Sequence, residues 1–116
     1  KVAPYGRAAV EVMTAMGLLS SLKDKWVQGE NIAHVHQFVL SENATLGFVA
    51  LSQALDPKIK GQGSRWDVPP HLHEPIKQDV IVLTKGKDNQ AAQALMKFIT
   101  GPQTKTIIER YGYELK

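Results

Sequence analysis

Two runs that combine aliphatic, β-branched and aromatic residues constrain the fold of this 116-residue chain most. They are "TLGFVAL" (45–51) and "IKQDVIVLTKG" (76–86). Such residues suit a pleated, buried surface, so both runs predict strands, and the first is expected to be central in its sheet. Shorter strands are predicted at 25–29 and 65–68. Helical patterns alternate with these strands, which indicates the α/β class.

The predicted helices are delimited by their capping residues. The first is expected from about Arg7 to Met16, ending at Gly17, and the second begins after the N-cap candidate Asn31. Short helical turns are predicted at 18–25 and 52–55. A helix capped by Asp88 or Asn89 should bury one apolar stripe and stop at Gly101, and Pro102 should open the last helix. The expected buried residues of these last two helices are Ala91, Ala94, Leu95, Phe98, Ile99, Ile107, Ile108 and Tyr111.

Composition narrows the class of protein. A hydrophobic fraction of 43% is enough for a core in one domain, or in one lobe of a larger protein. No apolar run approaches the roughly 18 residues of a membrane span. The net charge is +3, but the lysines are scattered and no basic run is interleaved with aromatics, so nucleic acid is not an expected partner. The chain has no cysteine, which excludes disulfides and thiolate metal sites. Because it starts at Lys1 and shows no signal peptide, we expect a processed or cut piece.

Two helix starts carry the strongest chemical signal. Pro4-Tyr5-Gly6 precedes the first predicted helix, and Gly29-Glu30-Asn31-Ile32 precedes the second. Amides at a helix N-terminus lack intrahelical partners and carry a partial positive charge, so they can hold an anion. Glycine near each start lets the backbone approach a ligand. The alternative is that both are ordinary strand-to-helix turns that bind nothing. Arg7 could add charge to such a site or be simply solvated.

The histidines offer a competing reading. His71 and His73, with Glu74 beside them, lie in a proline-rich loop at 57–75, where they could chelate zinc, and a metal-dependent enzyme is the alternative function they suggest. His34 and His36 fall on a predicted helix, where residues two apart point about 200° away from each other, so one metal cannot easily take both. The sequence contains none of the motifs GxSxG, HExxH or the P-loop. We therefore expect a binding protein, not an enzyme.

Four stretches, in order, resemble the periplasmic molybdate-binding proteins of ABC transporters. They are "VAPYGRAAVEVM", "KWVQGENIAHVHQFV", "LGFVALSQA" and "GPQTKTIIERYGYEL". The likeness covers essentially the whole chain and corresponds to the C-terminal half of the mature family protein. It implies one lobe of a type 2 periplasmic binding protein, with a central mixed sheet flanked by helices. Residues 1–75 would be the second, ligand-binding lobe. Residues 76–116 would be a returning strand and C-terminal helices that pack on the absent first lobe.

The resemblance also implies a function and a site. The ligand would be molybdate or tungstate, held by the backbone amides of Tyr5 and Ile32, with Gly6 and Asn31 shaping the two turns and no cofactor required. Ala50 stands where one branch of the family donates a tyrosine hydroxyl, so that contact would be missing. The implied partner is the membrane permease of an ABC importer, in the periplasm or, without a periplasm, on a lipid anchor outside the cell. A carrier of sulfate or phosphate remains the alternative within this class.

The absent first lobe has two consequences under this resemblance. It would supply side-chain donors to the anion, so this chain holds half of the site. Its absence also leaves the helices after Asp88 without cover, and we expect self-association by exchange of these elements between copies.

The half-site interpretation predicts weak binding by the 116-residue chain alone. An anion that binds only some of its hydrogen-bond donors does not recover the free energy that it loses when its water is removed. Isothermal titration calorimetry with molybdate measures this, and tight binding by the 116-residue chain would contradict the half-site.

Overall fold

The computed structural model describes residues 3–59 and 61–115. The chain divides into two compact units, Lys1–Ile76 (unit 1) and Lys77–Lys116 (unit 2). The roles that the sequence assigns to residues 1–75 and 76–116 stay predictions.

Helix α1 of unit 1, Pro4–Ala15, supplies most of its buried residues. Ala8, Val12 and Met13 lie one turn or one residue apart on one face, and all three are buried. The helix begins three residues before the predicted Arg7, because Pro4 occupies its first position, where the fixed φ of proline suits a helix and its missing N–H is not needed. Pro4, Tyr5 and Gly6 therefore form the first turn of α1.

The predicted end of α1 is confirmed. Gly17 adopts a φ of +69°, a conformation that glycine reaches without steric cost. Its N–H donates to the carbonyl of Thr14 at 3.0 Å, and the N–H of Leu18 donates to that of Met13 at 2.8 Å. This pair of bonds is the Schellman arrangement, which satisfies carbonyls that the helix end leaves open.

The other helices of unit 1 follow the predicted order. Helix α2 spans Leu19–Leu22 and continues into a 3₁₀ turn, Lys23–Lys25, which confirms the helical turn expected at 18–25. Helix α3 spans Ile32–Leu40, directly after Asn31. Helix α4 spans Leu51–Ala54, one residue ahead of the predicted turn, and the buried Ala50 precedes it.

The predicted strands are not found in the described part of the chain. The segments 26–29, 46–50, 65–68 and 76–83 run outside any helix but form no hydrogen-bonded ladder, while 84–86 forms a 3₁₀ turn, Thr84–Gly86. A strand is defined by pairing with a neighbour, and β-propensity alone does not supply that neighbour. The central mixed sheet is therefore not confirmed.

Unit 2 contains two helices with well-defined ends. Helix α5 spans Gln90–Ile99, and the side chain of Asn89 accepts from the amides of Ala91 and Ala92 at 2.9 and 3.2 Å. Helix α6 spans Pro102–Arg110, with Pro102 at its first position and Gly101 as its N-cap. The predicted N-cap at Asn89, the end of the helix before Gly101 and the start of the next helix at Pro102 are confirmed.

The apolar faces of unit 2 are uncovered. No described residue between 77 and 115 is buried, so the predicted buried stripes of α5 and α6 are wrong for this structure. Leu95, Phe98 and Ile107 are each about half exposed, because nothing packs over them. The segment before α5 and the apolar side of α5 line an open groove of about 450 Å³, whose apolar walls include Val80, Ile81, Leu83, Leu95, Met96 and Ile99.

These faces predict self-association of the 116-residue chain in solution. Exposed apolar area of this kind is removed from water when two copies meet. Multi-angle light scattering over a range of concentrations should show a rising mass. Leu95→Lys should shift the chain toward monomer, whereas Gln93→Lys, which adds the same charge elsewhere on α5, should not. A monomer at every concentration would contradict the prediction.

Candidate functional site

The first of the two predicted anion-binding turns is the start of α1. Tyr5 is the second residue of this helix and is half-buried, and Gly6 is the third and is exposed. The first backbone bond of the helix runs from the N–H of Arg7 to the carbonyl of Ala3 at 2.9 Å. The amides of residues 5 and 6 therefore lie in the turn ahead of that bond, where a helix presents its N–H groups outward.

Arg7 is paired within its own helix. Its Nε lies 3.4 Å from a carboxylate oxygen of Glu11, and its side chain is 61% exposed. The other oxygen of Glu11 accepts from the backbone N–H of Glu74 at 2.8 Å. An exposed pair of this kind adds little stability, but it gives the guanidinium a partner one turn into the helix. Arg7 thus has a carboxylate partner on its own helix.

The second turn is the start of α3, and its predicted cap is confirmed. Asn31 has extended backbone angles (φ −154°, ψ 171°), and its side-chain oxygen accepts from the N–H of His34 at 2.9 Å. Its carbonyl accepts from the N–H of Val35 at 3.2 Å. Ile32 is therefore the first residue of α3, and its amide lies at the helix start.

Gly29 allows the approach to α3 to pass close to that helix. A β-carbon at this position would lie 2.7 Å from Val35 Cγ2, 3.0 Å from the Val35 nitrogen and 3.2 Å from the Asn31 carbonyl oxygen. The last two are backbone atoms, which cannot swing aside. The sequence singled out Gly29 for a close approach to a ligand, and in the structure the close neighbour is α3 itself.

The charges near the two helix starts bear on whether they can hold an anion. Neither α1 nor α3 has an acidic residue in its first turn. A helix start carries about half a positive charge from its aligned peptide dipoles, and a carboxylate there would compete with an incoming anion. Both first turns therefore offer neutral donors without a carboxylate among them, and the nearest acidic residue of the second is Glu30, directly before Asn31.

A side chain that the sequence patterns missed lies beside the second turn. Gln53, half-buried in α4, donates from Nε2 to the carbonyl of Ile32 at 3.3 Å. Its Oε1 accepts from the N–H of Ala50 at 3.0 Å. No spacing rule links positions 32 and 53, because they are 21 positions apart in the sequence and meet only in the folded chain.

The proline-rich loop does not assemble the alternative metal site. His71 is exposed on a 3₁₀ turn, Pro70–Leu72, and His73 Nδ1 lies 2.8 Å from the carbonyl oxygen of Glu74. In residues 3–59 and 61–115, no three side chains of His, Cys, Asp or Glu are grouped to hold a metal ion. His34, on α3, stacks against Phe38 with ring centroids 4.3 Å apart. The geometry gives the metal-dependent enzyme no support.

A comparison with known families decides the class of protein. Residues 1–114 match the family described as bacterial extracellular solute-binding protein. The chain belongs to that family. Curated relatives of this sequence are named molybdate-binding protein ModA, and two of them come from Azotobacter vinelandii and Rhodobacter capsulatus. The one from Azotobacter vinelandii is 55% identical over 117 residues, and the one from Rhodobacter capsulatus is 43% identical over 113.

A solved structure shares the fold. The periplasmic molybdate-binding protein of Azotobacter vinelandii superposes with a TM-score of 0.89 at 34% identity, covering 99% of this chain and 51% of that one. The two curated relatives are matched over 46% and 44% of their own lengths. The chain thus spans about half the length of the family members it matches. Among the residues described, none of the helices has the length and apolar character to cross a membrane.

The cap at Asn31 generates a stability prediction for this solute-binding chain. Asn31→Ala removes the acceptor for the N–H of His34 and should lower the free energy of unfolding by about 1 kcal/mol. Asn31→Asp keeps the acceptor and should stay close to wild type. Urea titration and amide hydrogen exchange at His34 measure both effects. Equal stability and equal exchange in the alanine variant would show that the cap does not hold the start of α3.

Proposed function

We propose that this chain binds a tetrahedral oxyanion, molybdate or tungstate, as part of the solute-binding component of an ABC importer. The observation that carries the proposal is the pair of helix starts, α1 and α3, each free of acidic residues in its first turn. Tyr5 and Ile32 donate their backbone amides to the anion. Gly6 and Asn31 shape the two turns, and Asn31 does so through the cap described above.

Neutral backbone donors suit a doubly charged ligand. Stripping a dianion of water costs tens of kcal/mol, so its oxygens need donors in fixed positions. Amides at a helix start supply such donors, and hydrogen bonds to an ionised acceptor are about twice as strong as neutral ones. The pairing of Arg7 with Glu11 fits this mode of binding, since the charge of the anion is met by dipoles and not by a cation. A protonated anion would turn a hydroxyl toward donors only, and it is rejected.

The half-length match supports a two-lobed arrangement. Residues 1–75 act as the ligand-binding lobe. Residues 76–116 return to a first lobe that supplies the remaining donors and covers the apolar groove of unit 2. The names of the relatives, all molybdate-binding proteins, support this assignment. Binding without chemical change, and hence no catalysis, is the activity we propose.

The remaining parts of the proposal concern place and partner. The complete polypeptide acts in the periplasm, or on a lipid anchor outside cells that lack one, and delivers its ligand to a membrane permease. Sulfate and phosphate are the competing ligands, since they share the tetrahedral shape. Competition calorimetry on the complete polypeptide, with molybdate bound and sulfate or phosphate added, separates these ligands by their displacement of molybdate. Displacement at equal concentration would overturn the assignment to molybdate.

A charge placed beside the second turn should weaken binding without unfolding the protein. Asn31→Asp preserves the cap but sets a carboxylate next to the amide of Ile32, so it repels a dianion. We expect the dissociation constant for molybdate to rise at least tenfold in the complete polypeptide, as measured by calorimetry.

The matched control is Asn89→Asp. Asn89 caps α5 with the same type of bonds, so the substitution makes the same change in net charge at an equivalent helix start in unit 2. Its dissociation constant should stay within about twofold of wild type. Equal losses in both variants would place the anion elsewhere.

A further inference from the structure

Gln53 occupies an unusual position between two helix starts. It lies within α4, and its side-chain amide bonds to the backbone of Ile32 at the start of α3 and of Ala50 just before α4. Both bonds are partly buried, and Ala50 is one of the few buried residues among those described, at 5% exposure. A single side chain thus ties two backbone segments that are remote in sequence.

The bond to Ile32 restrains the turn whose amide is the proposed donor. The carbonyl of Ile32 has two lone pairs, so it can accept from Gln53 while it also serves the first turn of α3. On the other side, Asn31 fixes the same turn through the N–H of His34. The first turn of α3, which contains Ile32, is therefore held by Asn31 through the N–H of His34 and by Gln53 through the carbonyl of Ile32.

Glutamine has the chemistry that this position requires. The backbone groups that face it are one donor, the N–H of Ala50, and one acceptor, the carbonyl of Ile32. A carboxamide offers an acceptor and a donor on the same group, whereas an ionised carboxylate offers acceptors only and methionine offers neither in useful strength.

We propose that Gln53 is a positioning residue, which orients the amide of Ile32 toward the oxyanion by holding the start of α3 against the start of α4. This inference rests on the proposed function. It adds a residue that does not contact the ligand but sets the direction of one of its donors. A donor that is free to tilt loses part of its bond to the anion, because hydrogen bonds weaken steeply with angle.

The first test removes both bonds with Gln53→Met, which is similar in length. In the complete polypeptide the dissociation constant for molybdate should rise about tenfold, the effect of misdirecting one charged hydrogen bond. Hydrogen exchange of the Ala50 amide should accelerate in the same variant. Gln93→Met is the matched control, because Gln93 donates a similar bond to the carbonyl of Lys87 in unit 2. The control should bind within about twofold of wild type.

The second test is a pH-dependent rescue with Gln53→Glu. At about pH 7 the carboxylate accepts from Ala50 but repels the carbonyl of Ile32, so binding should be weak. At about pH 5, where molybdate is still a dianion, a fraction of the carboxyl is protonated and regains a donor, so the ratio of its dissociation constant to that of wild type at the same pH should fall toward one. Affinity is measured well below the melting temperature, where essentially every molecule is folded, so a loss of stability alone does not change it.

The outcomes separate the two proposals. If wild type binds molybdate and Gln53→Met binds equally well, the positioning role is overturned and the proposed function stands. If the ratio for Gln53→Glu does not change with pH, the donor to Ile32 has no part in binding, which also overturns the positioning role. If the wild-type complete polypeptide does not bind molybdate, calorimetry overturns the proposed function, and the inference falls with it.

Discussion

The orientation of peptide N–H groups at two helix starts is the constraint on which the proposed binding depends. An amide is a useful donor to an anion only if its direction is fixed before the ligand arrives, since reorganisation would consume binding energy. Local features of the chain fix these directions: Pro4 sets the start of α1, and Asn31 caps α3. Gly29 lets the approach to α3 lie against the helix it precedes. Short-range interactions thus set the start of each helix, and the bond from Gln53 to Ile32 adds a long-range one at the second.

Helix ends could be predicted from the sequence because their causes are local. Asn31 and Asn89 cap the helices that follow them, and Gly17 and Pro102 mark an end and a start where expected. The start of α1 was misplaced by three residues, since proline can stand inside a first turn as well as before it. Pairing of strands and burial of stripes depend on distant neighbours. The runs at 45–51 and 76–86 carry strand propensity, yet the described residues give them no ladder partner.

The residues of the candidate site also differ in whether the sequence alone could point to them. The stretches containing Tyr5 and Ile32 could be selected from the sequence because they resemble those of a known family, and they lie at the starts of α1 and α3. The role of either residue in binding stays a prediction. Gln53 could not be found by pattern, because its two backbone partners include one 21 residues away. The bond between Glu11 and the amide of Glu74 spans 63 residues and escaped the patterns for the same reason.

The bond between Glu11 and the amide of Glu74 separates an anchored part of the proline-rich loop from an exposed part. The end of the loop is anchored to the middle of a helix, whereas residues 61–67 are all exposed. Gly61 and Gly63, with φ values of +91° and +74°, turn the chain in this exposed stretch. A fluorescent peptide inserted at residues 61–67 would be solvated and would leave the anchored end at Glu74 undisturbed. These residues are therefore a suitable place to attach an optical reporter.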